Sequence, residues 1–208
     1  MENPETPRIA ALEPPYKPET EEMLRRWMPP GADMEPLVLF RTLAVHPELM
    51  SRMRPLGSGI LGHGSVPPRD REIVVHRACA RAGAEYEWGV HAVAFGAAVG
   101  LTPEQIAATA TGEATATGAT GAATATSAPG APGDPAWSDH DAALIRLADE
   151  LHDTCTISDE LWGRLSATYG DEQLLELLVI AGWYRAIAYV INAARIPLEP
   201  WAARFPDL

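Results

Sequence analysis

Apolar residues recur along this chain at helical intervals, and no stretch alternates long enough to read as a strand. In "PLVLFRTLAVHPEL" Leu37, Leu39, Phe40, Leu43 and Ala44 share one face of a helix that His46-Pro47 stops. The next stretch, "RPLGSGILGHGSVPP", carries Gly57, Gly59, Gly62 and Gly64 and closes on Pro67-Pro68, so it reads as a loop. A helix is then expected from about Arg69 to Ala82, with Ile73, Val74, Ala78 and Cys79 facing inward. Gly83 interrupts it, and a second helix from about Glu85 to Val99 closes on Gly100. Thr102, Pro103 and Gln105 form a capping box that starts another helix. Ser138 and Ser158 read as N-caps of two more, the second ended by Gly170. The last helix, about 171–194, is apolar nearly all round, which predicts burial on every side, in part by a second subunit. The expected fold is all-α, built on the antiparallel helix pair 69–82 and 85–99.

Two stretches depart from this pattern. Residues 1–35 are rich in Pro and Glu and are expected to form an extended arm or a disordered tail, ahead of a helical domain over 36–208. From about 107 to 135 the chain reduces to "AATATGEATATGATGAATATSAPGAPGDP", which has almost no large apolar side chain to offset its chain entropy. That stretch is expected to be a mobile surface insertion.

Charge narrows the partners. A formal net charge of −12 disfavours nucleic acid and anionic membrane surfaces, both of which call for a basic patch. The first residues lack a basic segment followed by an apolar run, so no secretory signal is expected, and "LLELLVIAGWYRAIAYVINAA" is broken by Glu176 and Arg185 and reads as a core helix. Cys79 and Cys155 stand far apart in no motif, which fits two small buried residues with free thiols in a reducing cytoplasm.

The candidate chemistry lies in "REIVVHRACARAGAEYEWGVHAV", residues 71–93, where charges sit among residues that should be buried. Glu87 and His91 are four apart on one helix and can share a face. The Gly83 turn folds Glu72 back toward that face. A histidine with one carboxylate to orient it and a second carboxylate nearby can move protons at neutral pH. In the expected arrangement His91 carries the proton, Glu87 orients it and Glu72 is the second acid or base. Arg71 is a candidate clamp for a substrate carboxylate, with a structural ion pair as the alternative, and Tyr86 and Trp88 are candidate pocket walls. His76 stands four residues after Glu72 and could compete for it. A metal held by Glu72, Glu87, His91 and His76 is a further option. The plain alternative is that Glu87 and His91 form a surface pair, Glu85 a charge at a helix start, and the remaining histidines loop or helix-end residues.

The stretches "LFRTLAVHPEL", "PPRDREIVVHRACARAGAEYEWGVHAVAFGAAVGLTPEQI", "LADELHDTCTISDELW" and "LLELLVIAGWYRAIAYVINAARIPLE" resemble the carboxymuconolactone decarboxylase and alkylhydroperoxidase-D-like superfamily. The redox branch of that superfamily carries a glutamate, eleven residues, Cys-x-x-Cys, three residues and a histidine. Laid on this chain, the glutamate falls on Glu72 and the histidine on His91, but the two cysteine positions are Ala84 and Glu87. The frame is kept and the thiols are gone. The resemblance therefore implies the decarboxylase-like branch, which works without cofactor by acid–base side chains, on a small carboxylated or carbonyl-bearing acid or lactone. The apolar surround of the 171–194 helix leads to the further expectation of a homo-oligomer. A thiol peroxidase and a non-catalytic scaffold on the same fold are the alternatives.

Overall fold

The computed structural model describes residues 6–29, 31–111 and 137–206, and among them the ordered elements are helices. They are α1 (Pro18–Arg25), α2 (Val38–Leu43), α3 (Pro47–Gly62), α4 (Pro68–Arg81), α5 (Glu85–His91), α6 (Pro103–Thr111), α7 (Asp139–Thr154), α8 (Asp159–Ser166) and α9 (Asp171–Ala194). Between α5 and α6 the chain runs through a π-helical turn, Ala92–Gly96, and a short 3₁₀ turn, Ala97–Val99.

α4 is the centre of the molecule. Every residue from Asp70 to Cys79 is buried, polar ones included, because α5, α6, α7 and α9 pack around it. Ion pairs set its register against α7: Arg69 meets Asp141, Arg77 meets Asp149 at 2.6 Å, and Arg81 meets Asp153. Both numbers in each pair rise together, so the two helices run parallel. α9 is parallel to α4 as well. Glu176 near its start holds the backbone of Ser65, and Asn192 near its end donates to the carbonyl of Ala82.

The antiparallel partner of α4 is α5, reached through Gly83. There φ is +63°, and the amides of Gly83 and Ala84 bond back to the carbonyls of Ala80 and Cys79, the glycine-dependent helix stop. The expected capping box at Thr102 forms, and the expected N-cap Ser138 proves to be part of one. Thr102 and Gln105 cap α6 reciprocally, as do Ser138 and Asp141 at α7.

Two expectations are corrected. The glycine-rich stretch after Arg54 is not a loop, for α3 continues through Pro55 to Gly62. Tertiary packing overrides propensity there: Met50, Gly57 and Ile60 lie on one buried face, and Gly57 sits directly under the indole of Trp183. Nor is the described part of the N-terminal arm a free tail. The Arg8 and Leu12 amides bond to the carbonyls of Ala194 and Arg41. Leu24 is 1% exposed in a second apolar cluster with Leu39, Met50, Tyr86, Ile187 and Ile191. Arg41 pins this arm by bonding the Leu12 carbonyl and pairing with Glu13.

The arm therefore covers one side of α9 from within the same chain. The stripe Leu175, Val179, Gly182, Ala186 and Tyr189 stays exposed, so the helix is not buried all round in a single copy. By length and composition α9 is also, among the described residues, the one helix able to cross a bilayer, but its inner face packs on the α4 core. Most of the low-complexity stretch lies outside the described residues. Its first part belongs to α6, where Ala108 and Thr109 are buried.

Asp149 accepts from Arg77 and stands 3.3 Å from Arg81 as an ion pair in the α4–α7 seam. Asp149→Ala leaves the nearly buried Arg77 without its carboxylate and should cost about 1–3 kcal/mol, whereas Arg52→Ala, in an exposed pair, should stay within about 0.5 kcal/mol. Urea denaturation midpoints compare the two, and equal losses would show that the seam does not hold α4 in place.

Candidate active site

Because Glu72, His76 and Cys79 recur at helical spacing on the buried face of α4, they form a polar row inside an apolar core. α5 lays Glu87 and His91 against that row, and Tyr184 reaches it from α9. The central contact joins His91 Nδ1 to Glu72 Oε2 at 2.7 Å. On the other side of the ring, Nε2 stands 3.6 Å from Glu87 Oε1, too far for a good hydrogen bond. Glu72 is fully buried, and His91 and Glu87 are 3% and 8% exposed.

The structure reverses the expected proximity of the two glutamates. Glu72, nineteen residues from His91, holds its ring, and Glu87, on the same helical turn, is the looser second carboxylate. Sequence spacing favours the local pair, but the α4–α5 crossing brings the distant carboxylate closer.

Glu72 is itself anchored. Arg71 Nε donates to Glu72 Oε1 at 3.1 Å, and its Nη1 donates to the Leu61 carbonyl. Of the two readings of Arg71, the geometry shows the ion pair. Burial opposes ionisation of Glu72, but His91, His76 and Arg71 outweigh it and hold its carboxyl below the ordinary value. Burial likewise opposes protonation of His91, but the Glu72 and Glu87 carboxylates raise its pKa to about 9. At neutral pH the site therefore holds an imidazolium against the Glu72 carboxylate, with Glu87 on the far side of the ring.

His76 behaves in the opposite way. Its Nδ1 contacts the backbone carbonyl of Glu72 at 2.6 Å and is 3.9 Å from the carboxylate, so it does not displace His91. Burial and the neighbouring His91 charge lower its pKa to about 4. Its Nε2 and Glu87 Oε2 are buried without a hydrogen-bond partner among the described residues, so they are the polar atoms a bound molecule or water would satisfy first. Phe95 covers His91 with ring centroids 4.8 Å apart, and Tyr184 meets it edge-on at 5.0 Å. Phe95 lies in the π-helical turn that follows His91, a distortion that often marks functional sites.

Tyr86 and Trp88 do not line this site. The Tyr86 hydroxyl donates to Glu199 at 2.6 Å inside the second apolar cluster. Trp88 donates to Thr109 at 2.9 Å and packs on Phe205, touching the site only through the edge of His76. Glu85 is more than a helix-start charge, since it accepts the Phe205 amide and ties the C-terminal strap over α5. That strap lies so close that a Cβ on Gly89 would stand 2.0 Å from the Ala203 carbonyl. His140 joins Asp70 and Tyr169, and His46 caps α3. Both cysteines are free, Cys79 buried as expected and Cys155 exposed at the end of α7. Among the described residues no group of three or more His, Cys, Asp or Glu side chains could hold a metal ion.

Sequence reasoning missed Tyr184 and Phe95. The signal for Tyr184 was present, as a lone hydroxyl on the inward face otherwise formed by Leu177, Ile180 and Ile187. Phe95 carried none, because a regular helix through residue 99 hides the π turn.

The buried acid–base cluster is clamped between two antiparallel helices of an all-α domain, an architecture consistent with the alkylhydroperoxidase-D-like fold. Residues 47–129 match the model described as the Carboxymuconolactone decarboxylase family, a segment that contains α3 to α6 and both glutamates with His91. No curated protein and no solved structure matches the chain.

The two histidines make stability depend on pH in opposite senses. His91, raised to about 9, contributes stability that is complete below the unfolded value of 6.5 and lost as pH climbs through 9. His76, lowered to about 4, contributes stability that is complete above 6.5 and lost as pH falls toward 4. Denaturation midpoints measured across this range should peak near pH 6.5, and His91→Gln should flatten the alkaline limb. Midpoints that stay level from pH 6.5 to 9 in the parent protein would contradict the His91 pairing.

Proposed function

We propose that this protein is a cofactor-free acid–base enzyme that decarboxylates or isomerises a small carboxylated or carbonyl-bearing acid or lactone. The observation that carries this reading is the buried 2.7 Å contact of Glu72 with His91, with a second carboxylate beyond the opposite ring nitrogen. Glu72 fixes the ring and keeps it charged, so Nε2 is the nitrogen that faces substrate. In a decarboxylation, the bond to the departing CO₂ breaks and its electron pair passes into the adjacent carbonyl as an enolate. The His91 Nε2 proton then goes to the carbon, and solvent reprotonates the ring. The imidazolium also stabilises the enolate before the proton moves. Glu87 orients the Nε2 side of the ring. Substrate reaches Nε2 by displacing Phe95 and the π turn, because His91 itself is almost closed to solvent.

A thiol-peroxidase reading fares worse. The two frame positions hold Ala84 and Glu87, and burial with the nearby Glu87 and Glu72 charges pushes the Cys79 thiol well above its ordinary pKa. A peroxidatic cysteine requires the reverse shift.

The exposed Leu175 and Val179 at the start of α9, 64% and 38% accessible, support a homo-oligomer assembled through that half of the helix. Light scattering should give a mass above the 22.4 kDa of one chain, and Leu175→Glu should return it to one chain. A single-chain mass at every concentration would refute the assembly. The proposed setting is a reducing cytoplasm, with a small molecule rather than nucleic acid or membrane as partner.

A panel of β-keto acids and unsaturated lactones, followed by NMR in deuterated water for CO₂ loss and deuterium uptake, tests the chemistry. His91→Ala and Glu72→Gln should each lower turnover by roughly 10²–10⁴-fold, with Glu87→Gln less severe because its contact is longer. Turnover that survives His91→Ala would refute the proposal.

A further inference from the structure

A cleft of about 250 Å³ opens between α4, α7 and α9, and no residue of the Glu72–His91 cluster lines it. Its walls are apolar, formed by Ala78, Ala148, Leu151 and Leu178, while Arg185 and His152 make one polar pole. We propose that this cleft binds a small monocarboxylate with an apolar tail, its carboxylate on Arg185 and its tail along α7 and α9. The site is independent of the acid–base cluster, and either can fail without the other.

The arginine is built for this contact. Its Nε donates to the Tyr189 hydroxyl at 2.9 Å, and the Tyr189 ring lies 5.3 Å from the guanidinium carbon. Its Nη1 meets His152 Nδ1. Those contacts hold the guanidinium plane and leave Nη2 without a partner among the described residues. A planar carboxylate matches that fork.

The surrounding charges are already matched. Asp149 and Asp153, the acids beside His152, are taken by Arg77 and Arg81. Burial and the Arg185 and Arg81 charges lower the His152 pKa, which favours the neutral ring whose Nδ1 accepts from Arg185. Arg185 alone among the arginines of this face has no carboxylate partner among the described residues, in a chain of net charge −12. The volume falls below the roughly 300–1,000 Å³ of pockets for drug-sized ligands, which limits the ligand to a small acid.

Cys155 lines the same cleft and is exposed, whereas Cys79 is fully buried, so alkylation of the native protein reads one thiol. The experiment measures the rate of Cys155 modification by N-ethylmaleimide, by intact mass, with octanoate or octanol added. Octanoate should slow the reaction several-fold and saturably, and octanol should not. Arg185→Gln should remove the octanoate effect. So should Gly182→Leu, whose side chain enters open space in the cleft and leaves the arginine in place. Equal protection by octanol, or no protection by octanoate at millimolar concentration, would overturn the proposal. A Cys155 that is unreactive without any additive would also overturn it, because the cleft would then be closed by another copy of the chain.

Discussion

A carboxylate with no contact to water sits at the centre of this molecule, and the arrangement around it follows from the need to keep it charged. Glu72 faces His91 at 2.7 Å and Arg71 at 3.1 Å, and none of the three is more than 7% exposed. Leaving one partner of such a set unpaired in the interior costs about 3–5 kcal/mol, whereas an apolar replacement of the whole set can be neutral or stabilising. Stability alone does not account for it. The set is better understood as a device that holds one imidazole in one orientation and one charge state, with the folding energy of the surrounding helices offsetting the cost.

The helices show where that energy arises. α4 lies between parallel neighbours on two sides and an antiparallel one on a third, with arginine–aspartate pairs registering it against α7. The Gly83 turn fixes where α5 crosses, and the C-terminal strap through Gly89, Ala203 and Phe205 presses α5 down. A rigid surround of this kind lets a 2.7 Å contact persist between residues nineteen apart. The π turn after His91 departs from this regularity and lays Phe95 over the ring.

Much of this was legible in the residue pattern. The capping signals at Thr102, Ser138 and Ser158 are local physics, and they form where the sequence places them. The helix pair and its glycine turn were equally plain. α3 was not, because Pro55 and three glycines argue against a helix and only the packing of Gly57 beneath Trp183 overrules them. The arm before α2 shows the same effect, since its Pro and Glu content hides the few residues, Leu24 foremost, that bury. At the site, the structure brings Glu72, Glu87 and His91 together, but not in the order of proximity that spacing suggests. Spacing of four favours Glu87, and only the crossing of two helices shows that Glu72 is nearer. Tyr86 and Trp88 were misplaced because a helix seven residues long, buried on every side, does not reveal which of its aromatics faces the histidine.

The claim on which the functional reading rests is that Glu72 keeps His91 charged inside the core. NMR titration of the His91 imidazole in the parent protein and in Glu72→Gln tests it directly, with no substrate required. The account predicts a pKa near 9 in the parent and a fall of at least one unit in the variant, with Glu87→Gln shifting it less. A parent value near the ordinary 6.5, unchanged by Glu72→Gln, would leave His91 an unpaired histidine and contradict the account.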